Sequence, residues 1–166
     1  MSVILEIAST TDAGLIHRLT QAAFAEYGQE PGTSTALKET PADISALLAE
    51  GNQALVVTIA GDPVACVRYR IEGDFLYFFR LSVDPAHRRK GLATLLICHL
   101  EVLAREAGLS RLTCSVRMAK TDNVALYTRH GFQIMGTRIV YRDGIEVPTG
   151  DLEKPLPCGK RSEEEL

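Results

Sequence analysis

The stretch that decides the fold is LSVDPAHRRKGLATLLICHLEVLAREAG, residues 81–108. A dense apolar run that ends at Val83 predicts a buried strand, and Asp84-Pro85 stops it because proline cannot continue a hydrogen-bonded ladder. From Leu92 onward, leucines recur at spacings of three and four, the period of an amphipathic helix. Gly108 is suited to end that helix in a left-handed conformation. The stretch therefore predicts a strand, a turn and a helix.

The turn between this strand and helix is basic and reads HRRKG, residues 87–91. A helix N-terminus presents unpaired N–H donors and the positive end of the helix dipole. Cations and a glycine beside it form a cradle for phosphate oxygens. The spacing is Arg88-x-x-Gly91-x-Ala93, and neither the GK[ST] of a P-loop nor the GxGxxG of a dinucleotide site is present. The turn therefore predicts a site for a phosphate-bearing ligand that is neither a P-loop nor a dinucleotide-binding motif.

Length and composition predict a single globular domain over residues 1–156, followed by a disordered tail over residues 157–166. The net charge of −3 argues against binding to nucleic acid, which requires a basic surface. The first residues contain no basic segment and no long apolar run, so the sequence predicts no signal peptide and no membrane partner.

Cysteine usage points to a reducing compartment. The four cysteines have no CxxC spacing, and three of them lie inside apolar runs: Cys66, Cys98 and Cys114. This pattern predicts free thiols with no disulfide and no metal site, and a cytoplasmic location.

Hydrophobic periodicity and turn residues predict the element order β-α-α-β-β-β-α-β-α-β-β, a mixed α/β (α+β) fold. The predicted strands are residues 3–8, 54–60, 64–71, 75–83, 111–117, 132–142 and 147–156. The predicted helices begin after a cap at Asp12, at Pro41, at Leu92 and at Asn123, the last capped by Thr121 or Asp122. Residues 28–40 are polar and rich in turn formers, and they predict a loop.

A second motif, NVALYTRHGF, occupies residues 123–132. Asn123 and Tyr127 are four residues apart, so they share one face of the predicted helix. Gly131-Phe132 closes that helix and begins the next strand.

Together the two motifs resemble those of the GNAT superfamily of acetyl-CoA-dependent N-acyltransferases. The turn resembles the family's Q/R-x-x-G-x-G/A pyrophosphate motif, with Ala93 at its third position. The second motif resembles a shortened N-x-x-A-x-x-x-Y-x-x-x-G-F, with Asn123, Ala125, Tyr127, Gly131 and Phe132 as the matching residues. The resemblance covers the chain up to Leu156. It implies a mostly antiparallel sheet that splays between its fourth and fifth strands and is flanked by helices.

The resemblance also implies acetyl-CoA as co-substrate, with no metal and no covalent enzyme intermediate. In the family the asparagine contacts the cofactor, and the tyrosine hydroxyl acts as general acid toward the departing thiolate, a role that falls here to Tyr127. A strand N–H near Val83 is the expected donor to the oxyanion. The implied cofactor-binding residues are Leu81, Ser82, Val83, Arg88, Arg89, Lys90, Gly91, Leu92, Ala93, Thr94, Asn123 and Tyr127.

The base that accepts the amine's proton is not defined by the sequence. Many relatives place a glutamate on the fourth strand, which here reads FLYFFRLSV and contains Arg80 but no carboxylate. The candidates by residue type are Glu26, Glu30, Glu72, Asp74 and His87, and a water relay is equally open.

The acceptor end of the site is expected to involve arginines. Strand alternation places four residues on one face of the fourth strand: Leu76, Phe78, Arg80 and Ser82. Arg80, with Arg68 or Arg70, is a candidate for gripping a carboxylate or phosphate on the acceptor. The alternative is that an internal carboxylate such as Glu72 or Asp74 pairs with Arg80.

Three functions fit these expectations. The first is acetyl transfer to a primary amine of a small molecule by direct attack in a ternary complex. The second is acetylation of a lysine or N-terminus of a protein, and the third is a non-catalytic acyl-CoA-binding regulatory domain. Retention of both the phosphate turn and Tyr127 argues against the third, because a binder needs no leaving-group acid. A homodimeric assembly is left open.

Overall fold

The computed structural model describes residues 2–29 and 32–157 and contains seven strands and four α-helices in the predicted order. The strands are β1 (Val3–Ile7), β2 (Gln53–Ile59), β3 (Asp62–Glu72), β4 (Phe75–Val83), β5 (Arg111–Arg117), β6 (Gln133–Arg142) and β7 (Ile145–Pro155). The helices are α1 (Ala13–Phe24), α2 (Pro41–Ala49), α3 (Leu92–Glu106) and α4 (Thr121–Arg129). The mixed α/β class is confirmed.

All seven strands form one sheet in the order β1-β2-β3-β4-β5-β7-β6. Every neighbouring pair is antiparallel except β4 and β5, which run parallel because α3 crosses over between them. Each face of the sheet carries its own core. The α3 face buries Phe78, Leu96 and Leu100 in one cluster, and the opposite face packs Ile16 of α1 and Ile44 of α2 against Cys66.

Local sequence signals explain the helix boundaries. Thr40 and Asp43 cap α2 reciprocally, with Thr40 Oγ1 accepting from the Asp43 N–H at 3.2 Å and Asp43 Oδ2 accepting from the Thr40 N–H at 2.9 Å. Pro41 is the first residue of α2, where its missing N–H costs nothing. Gly108 follows the last residues of α3 with φ +72°, as predicted.

Two predicted helix caps differ from the structure. Asp12 directly precedes α1, but its carboxylate accepts from the Ser9 N–H at 2.8 Å and so closes a preceding 3-10 turn. The α4 helix begins at Thr121 with Lys120 at the N-cap position, so neither Thr121 nor Asp122 is the cap. Both helices begin where a preceding turn already supplies the backbone geometry, which a pattern of cap residues does not reveal.

Residues 28–40 contain more structure than the predicted loop. Two 3-10 turns, Ala25–Gln29 and Thr35–Lys38, lie in or beside this segment. Ser34 caps the second turn by accepting from the Ala36 N–H at 3.2 Å. Glu30, Cys158 and the tail from residue 158 lie outside the described residues.

A bulge in β4 changes the direction of its side chains. Cys66 pairs with Ser82 and Arg68 pairs with Phe79, so two residues of β4, Arg80 and Leu81, lie opposite one residue of β3. The prediction that Leu76, Phe78, Arg80 and Ser82 share one face is therefore wrong, because an inserted residue shifts the phase of alternation. Leu76 and Phe78 face α3, whereas Ser82 contacts Cys66 on the α1 and α2 face.

The strands β4 and β5 separate after a short paired segment, as predicted. Pairing is confined to Phe75–Tyr77 of β4 against Arg111–Thr113 of β5. The second half of β4 stays bonded to β3 on its other side, so its edge toward β5 opens into a cleft. Within the described residues, no helix is long and apolar enough to cross a membrane.

Candidate active site

The cleft that opens between β4 and β5 has a volume of about 1060 Å³. Its floor is formed by Leu81 and Val83 of β4 and by Ser115 of β5. One end reaches the turn before α3 and the first residues of α4, and the other reaches the β6–β7 hairpin. The cleft therefore joins the two motifs that the sequence singled out.

The turn before α3 has the geometry of an anion cradle. Gly91 occupies the N-cap position of α3 with φ +78° and ψ +14°, a left-handed conformation that favours glycine. A Cβ built on Gly91 would meet no atom within 4 Å, so the space beside this backbone is open to a ligand. Arg89 is also left-handed at φ +63°, which turns the chain so that the α3 N-terminus faces the cleft. The turn therefore fits a phosphate group, whose oxygens accept from free N–H donors at a helix start.

Most of the predicted cofactor residues line this part of the cleft. They are Leu81, Val83, Arg88, Arg89, Gly91, Leu92, Ala93, Thr94, Asn123 and Tyr127. Ser82 and Lys90 do not line it, since Ser82 is fully buried on the other face and Lys90 is exposed. Arg88 reaches back to α1, where its Nη2 donates to the Ala23 carbonyl at 3.1 Å, and its Nη1 lies 3.6 Å from Glu26 Oε2 in the 3-10 turn after that helix.

Tyr127 combines a core position with a place on the cleft wall. Its side chain is 9% exposed, and its ring packs against Phe78 and Phe132 with centroid distances of 5.8 Å and 5.6 Å. The α4 helix that carries Tyr127 is joined to α3 by a 3.1 Å hydrogen bond between His130 Nε2 and Thr94 Oγ1. Burial lowers the pKa of His130, and Lys154 and Arg129 add to this effect. These contacts fix the tyrosine ring relative to the phosphate cradle.

The segment 32–39 covers the other end of the cleft and is attached on three sides. Gln21 of α1 donates to the Ala36 carbonyl at 2.9 Å, and Lys38 pairs with Asp143 of the β6–β7 turn at 2.7 Å. A Cβ on Gly32 would lie 2.7 Å from Val147 Cγ2, so this close approach requires glycine. We call this segment the roof.

A buried ion-pair network connects the roof to the sheet. Arg68 is fully buried and donates to both oxygens of Glu39 at 2.7 Å, a bidentate pair. Arg80 Nε lies 3.6 Å from the same carboxylate, and Arg80 Nη2 donates to Thr35 Oγ1 at 2.9 Å. An internal carboxylate does lie beside Arg80, as the alternative predicted, and it is Glu39 rather than Glu72 or Asp74.

The three arginines expected at the acceptor end are placed differently. Arg80 lines the cleft, Arg68 lies behind it in the ion pair with Glu39, and Arg70 is exposed beside Glu72 at 2.5 Å. Arg68 and Arg70 do share a face, where they stack over the rings of Phe79 and Tyr77 respectively.

The lining of the cleft is strongly cationic although the chain is acidic overall. Toward the phosphate cradle the cations are Arg88, Arg89, Lys120 and Arg129, and toward the roof they are Arg80, Arg117, Arg138 and Arg142. Glu26 and Asp122 are the only acidic side chains among the described lining residues. Positively charged side chains therefore lie at both ends of the cleft.

The candidate bases separate into two groups. Glu26 and His87 line the cleft, but Glu26 lies beside Arg88, and His87 Nδ1 is 3.4 Å from Asp84. Asp74 bonds Ser110 and Arg111 at the opposite end of β4, and Glu72 pairs with Arg70. Within residues 2–29 and 32–157, no group of three or more His, Cys, Asp and Glu side chains could hold a metal ion.

The two buried thiols, those of Cys66 and Cys114, are unsuited to nucleophilic chemistry. Burial raises the pKa of Cys114, which lines the cleft, to about 12 and that of Cys66 to about 11. A thiol reacts as its thiolate, so neither side chain is activated.

Several site residues were missed by sequence reasoning. Glu39 has no local signal, because its partner Arg68 is 29 positions away. Arg138, Val140 and Arg142 of β6 all line the cleft, and their period of two was readable as one strand face.

The chain matches the model of the acetyltransferase (GNAT) family over residues 15–132, more than half of its length, and it belongs to that family. Enzymes of this family are acyltransferases that use acetyl-CoA and act on amines, in some cases on proteins.

Solved structures of low sequence identity share the fold. The ribosomal-protein-S18-alanine N-acetyltransferase from Escherichia coli is 20% identical, with a TM-score of 0.80 over 97% of this chain and 98% of that one. The PaiA N-acetyltransferase from Thermoplasma acidophilum, solved in complex with coenzyme A, is 14% identical with a TM-score of 0.78 over 94% and 100%. A spermidine N-acetyltransferase chimera from Vibrio cholerae and hSSAT is 17% identical with a TM-score of 0.73 over 93% and 96%.

Proposed function

We propose that this enzyme transfers an acetyl group from acetyl-CoA to the primary amine of a small molecule by direct attack in a ternary complex. The observation that carries the small-molecule assignment is the roof. Its contacts to α1, to Arg80 and to the β6–β7 hairpin cover the acceptor end, which favours a compact amine over a polypeptide.

The cofactor's phosphates are assigned to the backbone of the turn before α3 and to Arg89. Gly91 leaves the cradle open, and the N-terminus of α3 provides unpaired N–H donors. The pantetheine arm is assigned to Leu81 and Val83, where β4 has lost its neighbour. The Asp84 N–H donates to the Val64 carbonyl of β3, so the preceding Val83 N–H points toward the cleft.

Acetyl-CoA supplies a thioester whose carbonyl carbon accepts the amine and whose thiolate departs. In this proposal the Val83 N–H stabilises the negative charge that develops on the carbonyl oxygen. Tyr127 gives a proton or a hydrogen bond to the leaving sulfur. The thiolate, whose conjugate thiol has a pKa of about 8.5, departs more readily when its negative charge is neutralised in this way. No lining carboxylate is assigned as the base, and the amine's proton is passed to water.

A test of the cofactor site compares the two ends of α3. Gly91 and Gly108 are both left-handed and both have open space at the Cβ position, so Gly91→Leu and Gly108→Leu impose similar backbone strain of about 1 kcal/mol. We expect the wild type to bind coenzyme A at micromolar levels in titration calorimetry. Gly91→Leu should weaken this binding at least about tenfold, because its side chain occupies the phosphate space. Gly108→Leu should bind as the wild type does.

Undiminished affinity in a folded Gly91→Leu variant would refute the placement of the phosphates. Equal losses in both variants would mean that strain in α3, rather than an occupied cradle, causes the effect. Thermal melting of both variants shows whether the two substitutions perturb stability to the same degree.

A further inference from the structure

The charges around the roof do not balance. Arg68 and Arg80 share one carboxylate, that of Glu39, and Arg142 lies close enough to Arg80 to affect its pKa, while the nearby Asp143 is paired with Lys38. Both carboxylate oxygens of Glu39 accept hydrogen bonds from Arg68, and Arg80 makes only a longer contact of 3.6 Å to this carboxylate. A guanidinium that is mostly buried without a full counter-charge is costly, which makes this place receptive to an anion.

Arg80 is held in a position from which it can bind a ligand. Its backbone adopts φ +55° at the β4 bulge, which is an uncommon conformation for a residue other than glycine. Its Nη2 donates to Thr35, whereas its Nε is buried 3.6 Å from Glu39 with no hydrogen-bond partner among residues 2–29 and 32–157. Burial lowers the pKa of Arg80, and the nearby Arg68 and Arg142 add to this while Glu39 opposes it.

Arg142 of β6 lines the same cleft as Arg80 of β4. It is close enough to affect the pKa of Arg80, and its Nη1 donates at 3.1 Å to the Tyr141 carbonyl, a neutral acceptor. Arg138, on the same face of β6, is already paired with Asp151 at 3.0 Å. Among Arg80, Arg138 and Arg142, the described contacts therefore leave the charges of Arg80 and Arg142 less compensated than that of Arg138.

We propose that Arg80 and Arg142 together bind an oxyanion on the acceptor, a carboxylate or a phosphoryl group, so that the substrate is an amine carrying an acidic group. This inference rests on the proposed acetyl transfer and specifies its acceptor. Arg80 lies directly before Leu81, so an acid group held here places a nearby amine beside the edge of β4. Cationic amines such as polyamines are repelled by the same residues.

The test uses matched acceptors at saturating acetyl-CoA, with release of free thiol as the readout. One set is L-leucine, L-leucinamide and 3-methylbutylamine, another is phosphoethanolamine and ethanolamine, and spermidine is the cationic probe. A charged hydrogen bond lost from the acceptor corresponds to about a tenfold to hundredfold lower kcat/KM. We expect the acidic member of at least one set to lead by that factor, and the set in which this occurs distinguishes carboxylate from phosphoryl recognition.

Variants assign the preference to residues. Arg80→Ala and Arg142→Ala should each raise the acceptor KM at least about tenfold and remove most of the preference, while the KM for acetyl-CoA stays within about twofold. Arg80→Lys keeps the charge but loses bidentate geometry, so it should retain only part of the preference. Arg18→Ala removes an exposed arginine of α1 that does not line the cleft and should behave as the wild type. If Arg80→Ala does not fold, Arg142→Ala alone decides the assignment.

Two kinetic results overturn the proposal. One is a wild type that prefers spermidine or the neutral amines, and the other is an unchanged preference in folded Arg80→Ala and Arg142→Ala variants. If the wild type acetylates none of the probes, calorimetry of phosphoethanolamine and L-leucine with the coenzyme A-loaded protein separates the two proposals. Binding that depends on Arg80 keeps the anion site and refutes the transfer to these amines, whereas no binding refutes the anion site.

Discussion

Glu39→Gln should destabilise the fold, because it leaves the Arg68 cation buried without its counter-charge. The Arg68 side chain has no exposed surface, and both of its bonds to Glu39 are 2.7 Å long. Removing one partner of a buried pair costs about 3–5 kcal/mol. Glu39 retains 13% exposure, which lets water reach the site, so we expect the lower end, about 3 kcal/mol. For a chain of this size that loss lowers the melting temperature by roughly 6–12 °C.

Urea denaturation followed by circular dichroism measures this loss, and two further variants define its cause. Lys38→Gln breaks the adjacent ion pair with Asp143, whose side chains are 57% and 48% exposed, and should have a much smaller effect. The double variant Glu39→Gln with Arg68→Met removes both charges from the interior and should recover much of the lost stability. The reasoning fails if Glu39→Gln is as mild as Lys38→Gln, or if the double variant is no more stable than the single one.

Two other predictions concern Tyr127 and the thiols. Tyr127→Phe keeps the ring contacts with Phe78 and Phe132, so we expect an unchanged melting temperature and a kcat lower by about 10²-fold. The control Tyr69→Phe, at a buried tyrosine outside the cleft, should keep the wild-type kcat. Full activity of Tyr127→Phe would contradict the leaving-group role. At pH 8 the raised pKa values leave about 10⁻³ of Cys66 and 10⁻⁴ of Cys114 as thiolate, so iodoacetamide should label the exposed Cys98 of the native protein before either of them. Mass spectrometry of native and urea-unfolded samples checks this, and early labelling of Cys114 in the native state would show that the cleft admits water and reagent to it.

The parts of the fold that depend on neighbouring residues were predictable from the sequence. Pro41, Gly91 and Gly108 mark helix ends through backbone conformations that each residue type favours by itself, and the structure places helix boundaries beside all three. The order of the elements, predicted from hydrophobic periodicity and turn residues, is also confirmed. The splay between β4 and β5, which the resemblance of the two motifs implied, is confirmed as well.

The β4 bulge was not predictable, and it is the cause of the wrong side-chain assignment. Nothing in FLYFFRLSV marks where an extra residue enters, since strand alternation was extrapolated through a position that breaks it. The bulge is stabilised by tertiary contacts, namely those of Arg80 with Thr35 and Glu39. A conformation that depends on partners more than 40 positions away leaves no trace in its own strand.

The two ends of the cleft are therefore built by different kinds of contact, and this difference bears on specificity. The phosphate cradle itself is the turn before α3 and the start of that helix, which form one continuous stretch of chain. The roof end joins residues distant in sequence, such as Lys38 and Asp143, which are 105 positions apart, and its cations come from three strands, β4, β5 and β6. A change in any one of these contacts can alter the acceptor site while the cofactor cradle keeps its shape. For this reason the cofactor could be inferred from short motifs, whereas the acceptor could be approached only through the arrangement of charges beneath the roof.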